Sequence, residues 1–382
     1  MVDALEVRGA TDAVLEPVRA RLRTIQPARP LRFARLLFMP LDPLIVPPNA
    51  WRPGTNFLPR LALPVLARAV RAHIAAAGDP ALLATLGHVD ALIATATTAQ
   101  AGIVRQAGRL VWPQAAAALQ ALANRPDQCC RTEWAAEGLT AAELQPVSAA
   151  VAAILAHAAA LHDQDHGGPA LGEAALLDIL TSAEAAGPHA WVMMLSLLIV
   201  RVPASAAVLL AAGQPNRNRA LADAAAETAL TWLETETADQ TAGIGEAAPL
   251  ELSRQAALLR ALSDQPGDAA RRRRVVDARA HLLAGSLHRL QASLHDHVAA
   301  PLGALPDQRA ARNAVLDTVE AAARMLRRFE IEARRLGAGQ KFDALVQDVG
   351  TSVQDTAGLS RMDRARLVEI LQGSDAAARL LA

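Results

Sequence analysis

From residue 61 onward, apolar side chains recur at spacings of three and four, the period of a helix buried along one side. The pattern predicts helices near 61–77, 80–97, 99–123, 140–163, 172–186, 188–202, 203–212 and 217–238, then near 248–263, 269–299, 307–337, 340–356 and 361–381. Glycine and proline stand where those helices must stop: Gly78-Asp79-Pro80, Gly167-Gly168-Pro169, Gly187-Pro188, Gly213-Gln214-Pro215 and Gln265-Pro266-Gly267. No strand-like alternation lasts more than a few residues. The expected fold is all-α, an irregular multi-helix bundle or stack of helix pairs.

Three stretches carry a narrower seam, stepping alternately by three and four. They are Leu144, Val147, Val151, Ile154, Ala158, Leu161; Val276, Ala280, Leu283, Leu287, Leu290, Leu294; and Val315, Val319, Ala322, Leu326, Phe329, Ala333, Leu336. The last two lie on long helices separated by a short Pro-containing link at 299–306, which predicts a coiled-coil-like antiparallel hairpin.

Residues 1–59 differ. Eight prolines between Pro27 and Pro59 fix φ and remove donors, so an extended arm is expected, with room for one short helix near 31–39. On that helix Arg29, Arg32 and Arg35 recur every third residue. The arm can therefore be read as an anchor for an anionic surface, or as a clamp whose Leu, Phe and Trp51 side chains cover the helical body. The second reading is favoured, because so few residues precede the prolines.

The most apolar run, WVMMLSLLIV at 191–200, is too short to cross a bilayer, and Arg201 and Pro203 interrupt its extension to 212. It is expected to be a buried helix followed by a second one beginning at Pro203. No secretory signal is visible, and the two cysteines, Cys129 and Cys130, are adjacent, which leaves no disulfide framework. A cytoplasmic location is the expectation.

Composition sharpens this picture. Alanine supplies 89 of 382 residues, tyrosine is absent, and Lys341 is the single lysine beside 37 arginines. Helix formers on that scale argue against an all-β fold, and the Ala and Arg bias fits a GC-rich bacterial genome. The net charge of zero hides segregation: residues 1–75 carry +6, 76–268 carry −11, 269–341 carry +7 and 342–382 carry −2. The expected organisation is a basic arm at 1–59, an acidic body at 60–268, a basic hairpin at 269–341 and C-terminal helices at 342–382.

Candidate chemistry is sparse. Arg271, Arg272, Arg273, Arg274, Arg327, Arg328, Arg334 and Arg335 make the hairpin a candidate partner-binding surface for protein or self-association, or for nucleic acid or an anionic membrane. Glu320 with Arg324 and Glu330 with Arg334 form i, i+4 pairs, however, and no aromatic residues interleave for base stacking. His162 and His166, at i, i+4 in His162-Asp163-Gln164-Asp165-His166, are the candidate metal ligands, resembling H-E-x-x-H spacing but ending against two glycines. His281, His288, His295 and His297 form a stripe too widely spaced to share one ion. No phosphate-cradling loop and no nucleophile elbow occur, and no cofactor is implied. The resulting expectation is a non-enzymatic helical interaction or scaffold protein. The alternatives are a metal-dependent helical hydrolase centred on His162 and His166, and a peripheral nucleic-acid or membrane binder.

Overall fold

The breakers do what their chemistry requires. Gly78 ends a helix in the left-handed region, at φ 65°, and Asp79 then accepts from the backbone N–H of Ala81 to cap the next. The computed structural model describes residues 31–382 apart from 49, 53, 98, 99, 126, 127, 166–168, 213–218, 239–247, 266, 268, 307 and 328. It is all-α apart from one two-stranded parallel pair, and it divides into two units, Met1–Trp232 and Leu233–Ala382.

Unit 1 runs α1 (Phe33–Phe38), a 3-10 turn (Met39–Leu44), β1 (Ile45–Val46), β2 (Leu58–Pro59), α2 (Ala62–Ala77), α3 (Pro80–Ala94), α4 (Ala101–Asn124) and α5 (Gln128–Ala136). It continues with α6 (Ala141–Ala156), α7 (Ala158–Asp165), α8 (Glu173–Glu184), α9 (Pro188–Arg201), α10 (Ala206–Ala212) and α11 (Arg219–Ala238), which crosses the boundary. Helices α4 and α6 pack together, and α9 lies against α6 and α8. Every residue of α9 from Ala190 to Arg201 is buried. It ends at Arg201, a new turn starts at Pro203, and α10 leaves at 113° to α9. Among the described residues no single helix is long and apolar enough to cross a membrane; α5 with α6, and α9 with α10, reach that length only as sharply bent pairs. The seam predicted over 144–161 is buried throughout, although the helix breaks at His157 into α6 and α7.

In the described part of the N-terminal arm, the short helix expected near 31–39 is present as α1, and its Leu and Phe side chains cover the helical body. Leu36, Leu37, Phe38, Leu41 and Leu44 are almost wholly buried, and α1 packs on α2 and α4. Each such side chain contributes about 1.5–3 kcal/mol of burial. Pro40 is compatible because it stands in the first turn of the 3-10 segment, where N–H groups have no partner to lose, while Pro43 lies inside that segment.

Unit 2 comprises α12 (Ala248–Ser263), α13 (Ala269–Leu294), a π-turn (His295–Ala299), α14 (Ala300–Gly303), α15 (Arg309–Arg327), α16 (Phe329–Arg335), α17 (Gly339–Asp355), α18 (Arg361–Gln372) and α19 (Ser374–Leu381). The second predicted long helix is described on both sides of Arg328, which lies outside the described residues, as α15 and α16; α15 packs more on α18 than on α13, which sits against α12 and α17. The buried face of α13 is Val275, Ala278, Leu282, Ser286, Leu290, Ser293 and Leu294, so the predicted seam holds at Leu290 and Leu294 and departs before them. There the face is turned about one residue from the predicted seam, and Val276 is left 64% exposed.

Candidate functional site

The predicted ligand His162 sits inside unit 1. It is 4% exposed, and its ring lies against Trp112 with centroids 5.6 Å apart. Trp112, one turn beyond Gly108 on α4, donates its Nε1–H to the carbonyl of Leu36 at 3.0 Å, so one aromatic ties α1, α4 and α7 together. Side chains on a helix lean towards its N-terminus, which lays the indole across Gly108. A Cβ there would stand 2.6 Å from Cζ3 and closer still to Cζ2 and Cη2. Only glycine leaves the ring its place.

Asp163, which follows His162, is not positioned as a general base. Its Oδ2 accepts from Arg105 at 2.6 Å and Arg109 at 3.2 Å. Burial acts to raise its pKa, but the two guanidinium groups together outweigh that effect and hold the carboxyl below its usual range. His166 lies outside the described residues. Among those described, no group of three or more His, Cys, Asp or Glu side chains could hold a metal ion.

Arg201, which interrupts the apolar run, is buried at 7% exposure. Its NH1 donates to the carbonyl of Leu161 at 3.1 Å, and its NH2 to those of Pro40 at 2.7 Å and Met39 at 3.4 Å. The guanidinium therefore serves carbonyls at the end of α1 and within α7, joining them to the last turn of α9. In the sequence this charge argues only against membrane insertion, because its fastening role depends on partners about 40 and 160 positions away.

In unit 2 most of the candidate arginines have local partners. Arg274 grips Glu234 in a two-bond fork at 2.9 and 2.7 Å. Arg327 pairs with Glu330, Arg334 with Glu330 and Asp343, Arg335 with Glu332, and Arg273 lies 4.0 Å from Asp277. Arg272 is exposed, and Arg328 is outside the described residues. His281, His288, His295 and His297 are exposed, Cys130 is buried, and the side chain of Cys129 is outside the description.

Two open grooves flank α4 in unit 1, and sequence reading pointed to neither. One, of about 380 Å³, has walls of Ala69, Ala72, His73 and Ala76 on α2, and of Ala118, Ala121, Leu122 and Arg125 on α4. Both walls follow i, i+3, i+4, i+7 spacing, one helical face each. The other groove, of about 450 Å³, is formed by Ala116, Ala117 and Gln120 on α4, Ala152, Ala153 and Ala156 on α6, and Ala185 and Ala186 beyond α8. It also contains His157 Nε2 at 2.6 Å from Ser182 Oγ. Burial lowers the pKa of His157. Alanines repeat too often in this chain for their spacing to single out either groove. No protein-family model matches the chain, and no curated protein or solved structure shows significant similarity to it.

Proposed function

We propose that this chain is a helical interaction protein that receives a helix of a protein partner in the groove between α2 and α4. The observation that carries this reading is the groove itself: two facing helical stripes floored by methyl groups, open to solvent over about 380 Å³. Alanine floors let a third helix approach closely, because the distance between packed axes is set by the side chains at the contact. The rim carries exposed His73 and Arg125, and no acidic residue among those described lines the groove, so the complementary partner helix presents alanine or leucine inward and glutamate beside them. The arginines of unit 2 support this choice of surface indirectly, since most are engaged by carboxylates of their own unit.

The test uses a fluorescein-labelled helical peptide of about 18 residues, long enough to hold a helix, with alanine and leucine on one face and glutamate on the other. Anisotropy should show saturable binding to the full chain. Ala72→Phe, which fills the groove from an exposed position, should abolish it, and Arg125→Glu should weaken it about tenfold, the equivalent of one lost charge contact. The reading fails if the wild-type chain does not saturate, or if Ala72→Phe binds equally well while keeping its helical circular dichroism.

A further inference from the structure

On the other flank of α4, away from the docking groove, the second groove brings together a hydroxyl and an imidazole. We propose that Ser182 and His157 form an acyl-transfer dyad, with Ser182 accepting the acyl group of a small uncharged carboxylic ester bound among the alanines of α4, α6 and the turn after α8. This activity goes beyond the docking reading and does not depend on it.

The geometry is that of a nucleophile and its base. Ser182 Oγ, on the last turn of α8, lies 2.6 Å from Nε2 of His157, the residue that caps the C-terminus of α6. Hydrogen-bond reach between a hydroxyl and an imidazole in an accessible groove is the first requirement for activating serine. Ser182 is exposed and therefore open to attack by, and on, a bound substrate. In the resting state its hydroxyl donates to the carbonyl of Ile179 at 2.7 Å. Turning that proton to Nε2 takes rotation of the O–H bond together with a change of imidazole tautomer, from hydrogen on Nε2 to hydrogen on Nδ1. Burial keeps the imidazole neutral near pH 7, the form that can accept a proton.

The lining selects the substrate. About 450 Å³ suits a small ligand, and the walls are alanine methyls with Gln120 as the remaining polar side chain. No charged side chain lines this groove, so an uncharged ester with a short apolar acyl group fits it. Gln120 Nε2, which donates one hydrogen to Asn124 Oδ1 at 3.4 Å, has a second N–H to offer a developing oxyanion.

The reaction balances without a co-reactant other than water. Ser182 Oγ bonds to the carbonyl carbon as its proton passes to His157 Nε2. The carbon–oxygen bond to the alcohol breaks, and Nε2 returns the proton to the departing oxygen. Water then adds to the acyl-serine carbon, its proton passing through His157 back to Ser182 Oγ, and the carboxylic acid leaves.

The experiment treats the full chain with a small uncharged ethyl fluorophosphonate and reads intact mass, followed by peptide mapping. The expected result is a single adduct on Ser182, absent from Ser182→Ala, and forming at least about 100-fold more slowly in His157→Gln, the scale of a lost general base. Gln120→Ala, at an exposed position, serves where His157→Gln disturbs the fold; it should slow adduct formation and p-nitrophenyl acetate hydrolysis about 100-fold. No adduct on the wild-type Ser182, or labelling that proceeds at the wild-type rate in both folded variants, would overturn the proposal. The docking peptide's affinity for Ser182→Ala should equal the wild-type value, so failure of one reading leaves the other standing.

Discussion

Replacing Gly108 by alanine sets two physical effects against each other. By helix propensity alone, Gly→Ala in the middle of α4 should stabilise the protein by about 1 kcal/mol. The new methyl, however, would enter the Trp112 indole, at 2.6 Å or less from three of its ring carbons. A ring pinned between α1 and α7 cannot move without losing its bond to the Leu36 carbonyl, about 1 kcal/mol, and strained repacking adds about 1–3 kcal/mol. Packing wins, and the expected net loss is about 2 kcal/mol, read by urea unfolding with circular dichroism at 222 nm. The decisive comparison uses Trp112→Ala as background. With the indole gone, the same Gly108→Ala change should become stabilising by about 1 kcal/mol, a coupling of roughly 3 kcal/mol between the two sites. Stabilisation by Gly108→Ala in the intact protein, or an equal loss in both backgrounds, would refute the reasoning.

Further outcomes follow from other contacts. Arg201→Met leaves buried carbonyls of Leu161 and Pro40 without their donor, and Arg201→Lys cannot reach all three acceptors. Each should cost about 3 kcal/mol in chemical unfolding, and a methionine variant as stable as the wild type would show that the guanidinium is not stabilising. Gly350→Ala meets the flexible end of Gln372 instead of a fixed ring, so its expected effect lies within about 0.5 kcal/mol of zero, and a loss comparable to that at Gly108 would contradict this. His157 is depressed below 6.5 by burial, and His189 likewise by burial, against a smaller opposing pull from Glu143. The unfolded chain then protonates first, so stability is full above 6.5 and falls as the pH drops towards the folded values. Thermal unfolding between pH 8 and 5 should show that decline, with a shallower slope in His157→Gln, and a flat profile would count against it. Asp163, held below 3.8, adds a second loss only in more acidic solution.

Most helices were legible because their breakers are covalent facts: Gly78, Pro188, Pro203 and Gly373 act through φ and missing donors, whatever the tertiary setting. The register of α13 was not. Ahead of Leu290 two rows run beside each other, and Val276, Ala280, Leu283 and Leu287 are more apolar than the buried row there, which includes Ser286; the predicted seam and the buried face coincide at Leu290 and Leu294. Small hydroxyl side chains pack in a helix interface without adding to a hydrophobic count. The short helix of the N-terminal segment was legible between its prolines, and its Leu36, Leu37 and Phe38 side chains are almost wholly buried, as covering the body requires. His157 and Ser182 lie 25 residues apart on different helices, and pairings of that kind leave no local signature.

Arg201 also constrains how unit 1 assembles. Its acceptors at Met39 and Pro40 are among the first described residues, while the apolar helix that carries it forms some 160 positions later. Until that early segment docks, sinking α9 into the core would trap a cation without these carbonyls, at a desolvation cost of several kcal/mol. Burial of the last turn of α9 and docking of residues 39 and 40 are thus energetically coupled, each stabilising the other. Such long-range closure slows folding. It also means that the N-terminal segment acts as a latch, and peeling back residues 31–44 would open the centre of the unit.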